Sequence, residues 1–133
     1  MKRGLVLLLL LCACDSPTGD DGNAVNIEGE WIYHATQITP ALDMTGTFQI
    51  TDQDGADFSG TASFTETDVQ GTQISRAGAL SGRIIGSDVV DIDIYVDLQV
   101  RRHVGRVVLD SMGGTWSVTG AASLSGSFTA RRP

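Results

Sequence analysis

The stretch from Val90 to Val100 alternates strictly between apolar and polar side chains. Its apolar positions are Val90, Ile92, Ile94, Val96, Leu98 and Val100. A period of two is the repeat of a β-strand that buries one face. No apolar pattern of helical period is sustained elsewhere beyond the first residues of the chain. The pattern therefore predicts an all-β domain.

Turn-forming residues recur along the chain at the spacing of about 8–12 residues that is typical of sandwiches and barrels. They divide it into eight predicted strands, near 29–38, 45–52, 56–66, 73–85, 89–99, 104–110, 115–119 and 123–132. Because the connections are short, strands that follow each other in sequence should be neighbours in the sheet. A meander with one apolar face hides that face most simply by closing. We expect an eight-stranded antiparallel up-and-down barrel, with a two-sheet β-sandwich as the alternative.

The turn positions also predict which residues face each other, since cross-strand partners share a face. We place turns at Gln53–Gly55, Val69–Gly71, Gly86–Asp88, Val100–His103, Met112–Gly113 and Gly120–Ala122. The predicted pairs are Phe48 with Gly60, Ile50 with Phe58, Phe58 with Gly82, Gly60 with Leu80, Ile84 with Val90, Arg83 with Asp91, Val96 with Val107, Asp97 with Arg106, Leu109 with Trp116, Trp116 with Gly126, and Val118 with Leu124.

The N-terminus has the pattern of a secretory signal, with Lys2 and Arg3 before a short apolar run. That run is too short to span a bilayer, which takes about 20 residues. The sequence Leu11-Cys12-Ala13-Cys14 resembles the lipobox of bacterial lipoproteins. The resemblance implies that residues 1–13 are removed and that Cys14 carries lipid. It implies a protein of the cell envelope, anchored to a membrane, with a linker over 14–27 and a barrel domain over 28–133.

The charge of the chain excludes some partners. Removal of Lys2 and Arg3 with the signal changes the formal charge from −7 to −9. A domain this acidic repels nucleic acid and anionic lipid, so membrane attachment depends on the anchor. Once Cys12 is removed and Cys14 is alkylated, the domain has no thiol for a disulfide or a metal.

The two ends of the predicted domain resemble those of the calycins, the superfamily of the lipocalins. Gly29-Glu30-Trp31 is similar to their Gly-x-Trp, and Arg131-Arg132 is similar to the basic residue that covers this Trp at the barrel floor. The resemblance implies that Arg132, or Arg131 if the strand contains a bulge, lies over Trp31. It also implies a barrel that holds a small apolar ligand or lipid.

Two groups of aspartates could in principle bind a metal ion. Asp52, Asp54 and Asp57 flank one turn, and the predicted registers place Asp93 opposite Asp110. We interpret the first group as turn residues and the second as surface carboxylates, because neither has the full ligand pattern of a calcium loop. We predict no metal and no cofactor.

The sequence offers no set of residues suited to catalysis. His34 and His103 are the only histidines, and we place them on an outer face and in a loop, with no acid beside either. No Gly-x-Ser-x-Gly motif is present. We therefore expect a non-enzymatic protein that binds a small apolar ligand or lipid. The alternative is a structural or interaction protein with a solid barrel that contacts another envelope component; a cavity of about 300 Å³ or more would favour ligand binding.

Overall fold

The computed structural model describes residues 24–118, 120 and 124–133, and these form a closed barrel of antiparallel strands in the order β1 to β8. The strands are β1 (Gly29–Gln37), β2 (Leu42–Asp54), β3 (Asp57–Asp68), β4 (Gln73–Ile85), β5 (Val89–Val96), β6 (Gln99–Val108), β7 (Ser111–Val118) and β8 (Ser125–Arg131). The predicted up-and-down barrel is confirmed, and the sandwich alternative is wrong because β1 pairs with β8. Within the described part of the chain there is no helix long and apolar enough to cross a membrane.

Several predicted registers are confirmed. Ile84 lies opposite Val90, and Arg83 lies opposite Asp91. Between β3 and β4, Phe58 pairs with Gly82 and Gly60 pairs with Leu80. Trp116 pairs with Gly126, and the Val118 amide donates to the Leu124 carbonyl at 3.0 Å. The predicted signal peptide, Cys14, most of the linker and most of the turn at Gly120–Ala122 lie outside the described residues.

The register between β2 and β3 differs from the prediction by two residues. Phe48 pairs with Ala62 and Ile50 pairs with Gly60. The turn lies at Gly55 and Ala56, later than predicted, and a bulge after Ile50 takes back one residue of the resulting shift. Asp54 pairs with Asp57 across a two-residue turn in which Gly55 has a φ of 60°. A shift of two residues leaves each side chain on its original face, so Phe48 and Phe58 remain buried.

The predicted loop at Val100–His103 is wrong. The chain turns earlier, at Asp97 and Leu98, which have φ values of 48° and 62°. A turn with both central residues at positive φ usually contains Asn or Gly, so Asp-Leu gives little turn signal. Val96 therefore pairs with Gln99 instead of Val107, and Arg106 pairs with Val89 instead of Asp97. Leu98, predicted to face inward, has a relative exposure of 110%.

The turn predicted at Met112–Gly113 is also wrong. The β6–β7 turn consists of Leu109 and Asp110, and Leu109 is 89% exposed instead of facing Trp116. Trp116 lies opposite His103. Asp93 lies opposite Arg102 instead of Asp110, so the repulsive pair expected from the sequence does not form.

The buried apolar side chains that face inward form a single core cluster. Tight approach between strands requires glycine at several inward positions. A Cβ on Gly126 would lie 1.6 Å from the Thr36 carbonyl oxygen, and one on Gly82 would lie 2.4 Å from the Phe58 ring. These glycines let the strands coil, and an aromatic ring covers the space that the missing side chain leaves.

The barrel has two distinct ends. We call the end with the loops at 38–41, 69–72 and 97–98 the upper end, and the other the lower end. The described chain begins at the lower end, where the Val25 carbonyl accepts a hydrogen bond from the Gln53 side chain at 2.9 Å. Ile27, which the sequence analysis assigns to the linker, is fully buried in the core there.

Candidate functional site

The upper half of the barrel contains a set of polar side chains in its interior. Alternation along the strands turns Tyr33 of β1, Glu66 of β3, Arg76 of β4 and both Arg101 and His103 of β6 toward the inside. We call these five residues the inner polar cluster. Glu66, Arg101 and His103 are buried, which is unusual for such side chains unless they have partners.

Tyr33 and His103 form the deepest part of the inner polar cluster. The Tyr33 hydroxyl and His103 Nε2 are 2.9 Å apart, and His103 Nδ1 lies 3.1 Å from the Arg101 carbonyl oxygen. Burial lowers the pKa of His103 to about 4 and raises the pKa of Tyr33. A neutral imidazole with its proton on Nδ1 satisfies both contacts, with the tyrosine hydroxyl donating to Nε2.

A chain of ion pairs runs from this centre to the upper rim. Arg101 Nη2 lies 2.6 Å from Glu66 Oε1, and Arg76 Nε donates to Glu66 Oε2 at 3.1 Å. Arg76 also pairs with Asp97 in the β5–β6 turn. Relative side-chain exposure is 8% for Arg101, 6% for Glu66 and 26% for Arg76. This series of ion pairs therefore connects the solvent-exposed rim to the buried core.

Arg101 crosses the interior of the barrel from β6 to β3, two strands that are not neighbours. Its guanidinium carbon lies 5.3 Å from the centre of the Phe64 ring and 5.7 Å from that of Trp116. Nη1 lies 3.6 Å from Met44 Sδ. Among the described residues, Arg101 Nε has no hydrogen-bond partner, and Glu66 Oε1 has none that is well aligned. A buried donor without a partner costs free energy, on the order of 1–3 kcal/mol.

The structure brings Trp31 and Arg132 together at the lower end. The guanidinium carbon of Arg132 lies 4.5 Å from the centre of the Trp31 ring. Arg132 also donates to the carbonyl oxygens of Glu28 at 2.8 Å and Asn26 at 3.1 Å. Arg131, the alternative in the sequence analysis, is exposed on the outer wall. With Ile27 buried beneath Trp31 and accepting from its indole nitrogen at 2.8 Å, the lower end is filled.

The aspartates considered for metal binding do not converge in the described part of the chain, where no group of three potential ligands is found. Asp57 lies 3.6 Å from Arg83, and Asp110 lies 3.5 Å from Arg132. Asp52 and Asp54 line a small depression at the lower end with Asp57. Asp93 faces the outer wall beside Arg102.

Each histidine differs in one respect from what the sequence predicts. His34 lies on the outer wall as predicted, but its Nε2 is 2.7 Å from Asp43 Oδ1 on β2. His103 is fully buried in β6, not in a loop. The acid beside His34 escapes the sequence prediction because Asp43 lies outside the predicted second strand, which begins at residue 45.

Two open depressions lie on the outer wall, away from the inner polar cluster. One, of about 510 Å³, crosses β6, β7, β8 and β1 over Gly113, with Ile32 and Val108 among its lining residues. The other, of about 750 Å³, lies over β3 to β6 and includes Asp91, Asp93 and Arg102. In the second, Arg102 Nε donates to Asp91 at 2.8 Å, and Arg83 Nε lies 3.6 Å from Asp57 Oδ1.

The chain has the fold of a small eight-stranded antiparallel up-and-down barrel. No protein-family model and no curated protein matches the sequence. Solved structures of similar fold include redesigned and de novo designed barrels. One is "EF1p2_mFAP2b bound to DFHBI", with a TM-score of 0.65, 14% identity, and 80% of this chain and 93% of that chain covered. Another is "a redesigned beta barrel, mFAP1, bound to DFHBI", with a TM-score of 0.63, 9% identity, and coverage of 79% and 94%.

A third similar structure is a de novo designed fluorescence-activating beta barrel, with a TM-score of 0.56 and 14% identity; the match covers 80% of this chain and 93% of that one. At these identities the likeness shows the fold alone. Two of the three structures are bound to DFHBI.

Proposed function

We propose that this chain is a lipid-anchored envelope protein whose barrel binds a small, largely apolar ligand through its upper end. The observation that carries the proposal is Arg101, a buried cation across the interior whose Nε has no partner among the described residues. A core that served only for stability would be more stable with apolar side chains of similar volume at such a position. A ligand-binding role accounts for a polar group kept in an aromatic surrounding.

The two ends of the barrel support entry from above. Trp31, Ile27 and Arg132 occupy the lower end, whereas the inner polar cluster reaches solvent at the upper end through Arg76. The designed barrels of similar fold that are bound to DFHBI are a precedent for a small molecule on an architecture of this size.

The anchor is the second part of the proposal and depends on the lipobox at Leu11–Cys14. The described chain begins at Ala24, at the lower end. A tether of about ten residues between Cys14 and that point would reach on the order of 20 Å. Attachment at the lower end would leave the upper end accessible.

An interaction role is the second candidate, and one observation favours it. Ile38, Val69 and Leu98 are large, largely exposed apolar side chains, one on each of three loops at the upper end. Exposed apolar groups clustered at one end of a domain often mark a contact surface. The same three side chains could also contact an apolar ligand that enters at the upper end.

Native mass spectrometry of the full-length protein purified from its host tests ligand binding. We expect a fraction that carries an additional small-molecule mass. The variant Ala35→Phe, which adds volume to the buried interior of the upper half, should lose that mass. Thr45→Phe, on the outer wall, is the matched control and should retain it. Protein that carries no added mass and binds none when incubated with a host lipid extract would contradict the proposal and favour an interaction role.

A further inference from the structure

The inner polar cluster defines the chemical class of ligand that the barrel can accept, and this inference rests on the ligand-binding function proposed above. We propose that the upper half binds an uncharged molecule whose apolar body ends in a group with both a hydrogen-bond acceptor and a donor, such as a primary amide, in preference to a carboxylate.

The charges around Arg101 are already balanced. Arg101 and Arg76 contribute two cations, and Glu66 and Asp97 contribute two anions in contact with them. Asp68, half-buried at the same rim, accepts hydrogen bonds from the amides of Gln70 and Thr72 in its own loop. A ligand carboxylate would therefore add an uncompensated charge to a buried site next to Glu66, and such a charge is strongly disfavoured.

Two buried polar atoms of the inner polar cluster lack a hydrogen-bond partner among the described residues. Arg101 Nε is a donor without a partner, and Glu66 Oε1 contacts Arg101 closely but without hydrogen-bond alignment. A single ligand group that accepts from Nε and donates to Oε1 would satisfy both atoms. A primary amide does this with its carbonyl oxygen and its nitrogen, whereas an ester can accept but cannot donate.

The surroundings of Arg101 determine the rest of the ligand. Phe64, Trp116 and Met44 lie around the guanidinium and are apolar. These residues offer dispersion contacts to a hydrocarbon or aromatic body but no further polar partner. The site therefore suits a molecule with one polar end.

The experiment uses the full chain reconstituted in phosphatidylcholine vesicles and three probes of equal chain length: decanamide, methyl decanoate and decanoate. Trp31 and Trp116 are the only tryptophans of the chain, so their fluorescence reports binding inside the barrel. We expect decanamide to bind roughly tenfold more tightly than decanoate, because the carboxylate adds an uncompensated charge beside Glu66. The methyl ester should bind with intermediate affinity, because it adds no charge but cannot donate to Glu66 Oε1.

Arg101→Lys tests the role of Nε directly. Lysine keeps the positive charge beside Glu66 but has a methylene group where arginine has Nε–H. We expect decanamide to bind about tenfold more weakly to this variant, with an unchanged barrel spectrum by circular dichroism. Arg102→Lys makes the same change on the outer wall and should leave binding unaltered. If Arg101→Lys does not fold, Glu66→Gln replaces it, and it should reduce the preference for decanamide over the methyl ester.

The outcomes separate this inference from the proposed function. If decanoate binds as tightly as decanamide, or if decanamide binding survives Arg101→Lys, the inference is wrong while ligand binding stands. If none of the three probes binds the wild-type chain, the inference is wrong and ligand binding loses support as well.

Discussion

Tyr33 and His103, separated by 70 positions in the sequence, meet at the centre of the barrel with 2.9 Å between the hydroxyl oxygen and Nε2. The contact joins β1 to β6 across the interior. Burial is the main cause of the lowered pKa of His103, so charging this ring must oppose folding.

The stability of the barrel should fall as the pH drops from about 6.5 to about 4. The unfolded chain takes up a proton on His103 near its ordinary pKa of 6.5, whereas the folded protein resists until about 4. The free energy of unfolding has its full value above the pKa of His103 in the unfolded chain. It falls by on the order of 3 kcal/mol as the pH drops from there to about 4. Urea unfolding measured at several pH values checks this.

The matched variants for that experiment are a double replacement and a surface control. Tyr33→Phe with His103→Leu removes the titrating ring without leaving the tyrosine hydroxyl unpaired, and its stability should depend less on pH in this interval. His34→Gln, on the outer wall, should keep the dependence of the wild type. An equal slope in the double variant and the wild type would show that other groups cause it.

Replacement of Arg132 by alanine should destabilise the barrel by roughly 1–3 kcal/mol. The change removes a cation from the Trp31 ring and two hydrogen bonds to backbone carbonyls. Tryptophan emission should shift to the red as Trp31 becomes hydrated. Arg131→Ala, on an exposed neighbour, should change stability by less than about 0.5 kcal/mol. Equal effects of the two variants would mean that Arg132 does not hold the lower end closed.

Gly126→Ala should destabilise the protein by roughly 3 kcal/mol, because the added methyl group collides with the Thr36 carbonyl oxygen between β8 and β1. Gly113→Ala is the control: its methyl group would come no closer than 3.2 Å to a non-neighbouring atom, so its effect should be smaller. Thermal unfolding followed by circular dichroism measures both. A tolerated Gly126→Ala would mean that β1 and β8 lie farther apart than described.

Leu98→Gly should raise the melting temperature slightly. Leu98 has a φ of 62° and no buried surface to lose, and glycine adopts this conformation without steric cost. The gain should be up to about 1 kcal/mol, since relief of strain exceeds the entropy that glycine adds to the unfolded chain. Leu98→Ala, which keeps the Cβ, should not show it. A lower melting temperature for the glycine variant would indicate that Leu98 has contacts that stabilise the turn.

Cys14→Ala should release the protein from membranes and block removal of the signal peptide if Cys14 is the lipid-bearing residue. Cys12→Ala is the control and should leave membrane attachment intact. Partition into detergent and the mass of the mature protein are the measurements. Attachment that survives Cys14→Ala but not Cys12→Ala would assign the modification to Cys12.

The strand pattern was predictable because alternating side chains and glycine turns are local signals. The stretch from Val90 to Val96 alternates, and a turn containing Gly86 precedes it. The register between β4 and β5 is as predicted. The inner polar cluster was not predictable in the same way. Arg101 and His103 occupy inward positions that a hydropathy pattern expects to be apolar, and Glu66 approaches Arg101 only when the barrel closes. The Asp97–Leu98 turn would have revealed β6, but it lacks the expected glycine.

The contacts of Arg132 with Asn26 and Glu28 have a consequence for the order of the strands. They bring the start and the end of the described chain to one pole. The eight strands form a closed cycle, so the chain could begin at a different strand and keep the same neighbours. A circularly permuted chain, joined from Pro133 to Ala24 by a short peptide and opened in the exposed loop at Gly71, would preserve all the strand pairings. Such a permutant would move both of its ends to the opposite pole. If the proposed lipid anchor were attached there, the barrel would be inverted relative to the membrane.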